Sequence, residues 1–77
     1  MFNVLDTVVL TRDLLDVGLR QGDLGAIVEV YGLNTFEVEF VAASGRTQAL
    51  VTLTADDIRH VGDQDLVSVR PLEKAAG

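Results

Sequence analysis

Cysteine and tryptophan are absent from the 77 residues, and histidine, proline, tyrosine and methionine occur once each. Without cysteine the chain has no disulfide, no thiolate nucleophile and no thiolate metal site. That absence fits a reducing compartment, and a cytoplasmic location is the expectation. Asp56, Asp57 and His60 stand close enough in "TADDIRH" to share a metal, but a zinc site wants a further histidine or cysteine. The single imidazole also leaves Ser44 and Ser68 without the base-and-orienter arrangement that activates a serine. Glu37 and Glu39 fall on one face of one strand with no cleft implied, so they make a poor acid–base pair. The sequence therefore reads as a non-enzyme with no catalytic residue, no cofactor and no metal.

Positive charge is also scarce. Twelve acidic residues oppose six basic ones, for a formal net charge of −6. Arg12, Arg20, Arg46, Arg59, Arg70 and Lys74 are scattered singly, whereas nucleic-acid binders cluster Lys and Arg against phosphates. A protein partner with a basic surface is favoured over nucleic acid. The opening "MFNVLDTVVLTRD" has no basic leader and only a short apolar run, so neither a signal peptide nor a membrane span is expected. Only three phenylalanines and one tyrosine are present, too few aromatics to line a groove for proline-rich ligands.

What is present is apolar and β-branched. An apolar share of 48% is too high for a disordered segment, and the length gives a single domain, 1–77, with 72–77 expected to be a flexible tail. Strand signals recur at short intervals. They place strands at about 5–11, 25–31, 35–42, 47–53 and 66–70, the last closed by Pro71, which cannot donate to a ladder. Leu14, Leu15, Val17 and Leu19 mark a long first connection that folds back over the core. Thr54 and Asp57 have capping-box spacing and predict a short helical turn before the last strand.

Register follows from alternation. In "TFEVEFV", Phe36, Val38 and Phe40 share one face and Glu37 and Glu39 the other. A three-residue connection at 32–34, with Asn34 left-handed, pairs Val30 with Phe36 and Val28 with Val38. A two-residue turn at Ser44–Gly45 pairs Phe40 with Ala49, Val38 with Val51 and Phe36 with Leu53. The expected core is Val8, Leu10, Val28, Val30, Phe36, Val38, Phe40, Val51, Leu53, Ile58, Val67 and Val69. Together these features give the fold class: all-β, a small five-stranded SH3-like barrel with a short helical turn before the last strand.

"GLRQGDLGAIVEVY", residues 18–31, sets three glycines before a strand. A phosphate-binding loop needs a strand before it and a helix after it, so that reading fails. Gly22–Asp23 reads as a turn, and Gly25 as a close approach to neighbouring backbone. The stretch resembles the turn-and-strand signature of KOW-type SH3-like modules. With "DTVVLTRDL", "FEVEFV" and "ALVTLTADDIRHV", the chain resembles a family of small uncharacterised bacterial SH3-like barrel proteins, a domain of unknown function. The resemblance implies the barrel and suggests an antitoxin or immunity role. The KOW likeness implies a second reading, an RNA- or ribosome-associated module using Arg12, Arg20 and Arg46. A third is a small structural or oligomerising subunit, and oligomeric state is left open.

The outer face of the second to fourth strands is the candidate site. The register sets Glu29 opposite Glu37, and Ile27 and Leu50 on either side of Glu39. Like charges directly opposite one another are destabilising. With Tyr31 nearby, Ile27, Glu29, Tyr31, Glu37, Glu39 and Leu50 form an acidic–apolar face that suits Arg or Lys on a protein partner. The plainer alternative is a solvated sheet face that keeps the chain soluble.

Overall fold

The computed structural model describes residues 1–72. Apart from Leu72, the expectation of a tail at 72–77 lies outside them. Five strands are present: β1 (Thr7–Leu10), β2 (Leu24–Val30), β3 (Thr35–Val41), β4 (Thr47–Thr54) and β5 (Ile58–His60). They form one antiparallel sheet in the order β4-β3-β2-β1-β5. The two edge strands are consecutive in the chain, joined by a 3-10 turn at Ala55–Asp57. That short link makes the sheet curl. The turn carries the capping box read from Thr54 and Asp57, with the Thr54 amide donating to Asp57 Oδ2 at 2.9 Å.

The inner face is built by alternation. Phe36, Val38 and Phe40 are buried with Val8, Leu10, Leu19, Ile27, Leu53 and Ile58, and Val30, Ala49 and Val51 pack at the margin. A Cβ on Gly25 would lie 2.8 Å from the side chains of both Phe40 and Val38. The glycine is thus needed for core side chains on β3 rather than for neighbouring backbone. The first connection does fold over the core: Leu19 is buried, Leu14 and Val17 pack against it, and Leu15 points to solvent.

Three expectations are corrected. The fifth strand is Ile58–His60 rather than 66–70. β1 offers one free edge, and the segment reaching it through a three-residue turn closes a far shorter loop than 66–70 would. Val67 and Val69 consequently lie outside the core, at 74% and 97% exposure. Residues 61–72 contain no strand and are tied back by paired contacts from Arg59 to Asp65 and from Arg70 to Asp23.

The second correction concerns β2. Val30 pairs with Phe36 and Glu29 with Glu37, but Ile27, not Val28, pairs with Val38. A bulge inserts Val28 as the extra residue, so Ile27 turns inward and Val28 is left exposed. The third concerns the turns. At 32–34 the positive φ belongs to Gly32, not Asn34, whose Oδ1 instead accepts from the Ala55 amide at 3.3 Å. The β3–β4 turn encloses three residues, 43–45, within a closing contact in which the Ala42 amide donates to the Arg46 carbonyl, with Gly45 at positive φ. A bulge then absorbs the extra residue, so all three expected β3–β4 pairs hold.

Candidate docking face on the outer sheet

The site residues come together with one exception. Glu37 and Glu39 project from the outer side of β3, opposite Thr52 and Leu50 of β4. Glu29 stands directly opposite Glu37 on β2. Leu50 and Tyr31 are 55% and 58% exposed and supply apolar area beside the acids. Ile27 does not belong: it is fully buried on the inner face, because the bulge reverses the alternation there. Ala26 takes its place opposite Glu39.

Two contributors were missed. Thr52 Oγ1 donates to Glu37 Oε1, and Thr47 Oγ1 to Glu39 Oε2, each at 2.6 Å. Hydroxyl bonds to a carboxylate are short and strong, and these two draw both side chains toward β4. The Thr52 contact was readable, since the expected register already set Thr52 beside Glu37. The Thr47 contact depends on the second bulge. That bulge also turns Gln48 toward the first connection, where its side-chain amide donates to the Val17 carbonyl at 3.2 Å.

Arginines serve other carboxylates. Among the described residues, ion pairs run from Arg12 to Asp57, Arg59 to Asp65 and Arg70 to Asp23; none reaches Glu29, Glu37 or Glu39. Burial raises the Asp23 carboxyl, but hydrogen bonds from Arg70 and from the Arg20 amide outweigh it and hold the pKa below the ordinary value. Asp57 behaves likewise: burial is outweighed by Arg12 and the Thr54 amide. Arg59 and the Gly62 amide lower Asp65 to about 2.

Of the arginines considered for RNA, Arg12 is thus engaged by Asp57, Arg20 is half-buried, and Arg46 sits in the β3–β4 loop. His60 stacks on Phe2 at 4.4 Å, and Phe2 meets Phe36 edge-on at 5.4 Å. Asp56, Asp57 and His60 form no metal-binding group among the described residues. No helix of the described residues is long and apolar enough to cross a membrane. A cleft of about 400 Å³ lies between residues 68–72 and the β2 and β3 ends, lined in part by Leu19, Leu24, Phe40, Val41 and Val69.

These features define a small all-β domain whose outer sheet presents acids without a cationic partner among the described residues. Over residues 4–60 the chain matches a family described as a domain of unknown function, DUF4926, and it belongs to that family. No curated protein and no solved structure matches the chain.

Proposed function

We propose that this protein is a non-catalytic binding module that docks a protein partner with a basic surface, through Glu29, Tyr31, Glu37, Glu39 and Leu50. One observation carries the reading: Glu29, Glu37 and Glu39 gather on one face, and every ion pair among the described residues lies elsewhere. A cation from outside finds three carboxylates there, with apolar area to bury beside them. The net charge of −6 draws the same kind of partner over longer range. The strand order, the long first connection and the helical turn support an SH3-like barrel as the scaffold. In its sharpest form the protein is a cytoplasmic antitoxin or immunity-type protein that neutralises a basic toxin-like partner.

The test is affinity for a co-encoded basic protein across a salt series, with wild type and a Glu29→Lys/Glu37→Lys variant. The variant is expected to bind at least tenfold more weakly, about 1.4 kcal/mol. Wild-type affinity is expected to fall as salt shortens the screening length. Equal affinity for both proteins at every salt concentration would reject the face. Retention of RNA at low salt that survives the double substitution would favour the RNA module instead.

A further inference from the structure

Among the described residues, one side of β4 is bare. It is last in the sheet order, pairs only with β3 among the described residues, and at eight residues is the longest strand. Its sequence, TQALVTLT, contains no charge and no proline. Natural sheets normally blunt their edges with charge, proline, shortness or a covering element. The opposite edge does so: β5 has three residues and carries Arg59 and His60. Beyond the bulge at its start, β4 does not.

We infer that the β4 edge is a strand-addition site, and that its occupant is an extended segment of the basic partner with Lys or Arg at alternate positions and apolar residues between them. The inference rests on the docking face proposed above and adds how the partner is held. Main-chain bonds along β4 supply affinity, and side chains on the two faces supply selection.

The geometry fixes the pattern. An added strand lies ~4.8 Å beyond β4, so its outward side chains start ~9.5 Å from the backbone of Glu37 and Glu39, two strand spacings away. A lysine or arginine stem crosses most of that gap over Leu50 and Thr52, covering apolar surface, and the carboxylates extend from β3 to meet its charge. The carboxylates already lean toward this edge, because Thr52 and Thr47 on β4 hold them. The alternate side chains of the added strand fall beside Ala49, Val51 and Leu53, which are half-buried or buried, and apolar residues suit them. A second copy suits the edge poorly. It would bring another net −6 chain, with its own Glu37 and Glu39, to the same seam.

The test uses the full chain, isotope-labelled, titrated with a blocked ten-residue peptide alternating lysine and valine. Three comparisons run beside it: the peptide with every amide N-methylated, the peptide with glutamate for lysine, and a Leu50→Lys protein. Leu50 is exposed, so that variant keeps its core. Amide shifts and exchange protection confined to β4 and the outer residues of β3 are expected. N-methylation, or Leu50→Lys, should each weaken binding at least tenfold, and the glutamate peptide should not bind.

Equal binding of the N-methylated peptide would overturn strand addition while leaving a charge-only docking face standing. Equal binding of the glutamate peptide would overturn the basic occupant. The absence of any β4 shift at millimolar peptide would overturn the edge site, whatever the charge-reversal assay returns. A dimer in light scattering that Leu50→Lys disperses would assign the edge to a second copy instead.

Discussion

Replacing Gly25 by alanine adds a methyl group where the core leaves no room for one. The new carbon would sit 2.8 Å from Phe40 Cε2 and from Val38 Cγ1, and 3.0 Å from Phe40 Cδ2. Neither neighbour can yield into solvent, since Val38 is fully buried and Phe40 nearly so. Forcing an extra methyl into a packed core costs about 1–3 kcal/mol. Against this, removing glycine's freedom from the unfolded chain returns about 0.4–1 kcal/mol. The difference spans a loss of about 0–2.6 kcal/mol and centres on about 1.3 kcal/mol, which for a domain of this size lowers Tm by roughly 5–10 °C.

Urea and thermal unfolding followed by far-ultraviolet circular dichroism measure it. Gly62→Ala is the control: its nearest contact would be Asp65 Oδ2 at 3.5 Å, an ordinary approach. That substitution is expected to leave stability unchanged or raise it by up to about 1 kcal/mol. A Gly25→Ala protein as stable as wild type, or a Gly62→Ala protein equally weakened, would refute the packing argument.

Acid should act through the aspartates. Asp23, Asp57 and Asp65 all have folded pKa values below their ordinary ones, so their contribution is complete above about pH 5 and is lost as pH falls through the folded values, near 2 for Asp65. The urea midpoint should hold from neutral pH to about pH 5 and then decline, with Asp65→Asn flattening the lowest part of the curve; a midpoint unchanged down to pH 2 would contradict the pairs. On the outer face of the sheet, Thr52→Val removes the hydroxyl that binds Glu37 and should cost about 0.5–1 kcal/mol. The cost should shrink in a Glu29→Gln background, where the opposed charges are gone, and equal costs in both backgrounds would deny the coupling.

The β3–β4 hairpin was legible because Phe36, Val38 and Phe40 face Ala49, Val51 and Leu53, and only one register matches them. Even there the turn was one residue longer than expected, and a bulge compensated. The capping box was legible because it is local. Ile27 was not: Ile27 and Val28 are both apolar, so alternation cannot say which turns inward, and the bulge decides. The fifth strand was misread for a related reason. Ile58–His60 is too short to show a period and exists because β1 needs a partner, whereas 66–70 alternates like a strand yet joins no strand ladder among the described residues. Glu29, Glu37 and Glu39 do share one face, but the threonines bonded to Glu37 and Glu39 required the pairing itself.

A basic protein is expected to land on the outer face of the sheet. Backbone amide shifts of the labelled chain, recorded while a co-encoded basic protein is added, locate the contact directly. Movement is expected at Glu29, Tyr31, Glu37, Glu39, Leu50 and Thr52, abolished by Glu29→Lys/Glu37→Lys. Movement gathered instead around the cleft beside residues 68–72, or along the loop from Arg12 to Arg20, would contradict it.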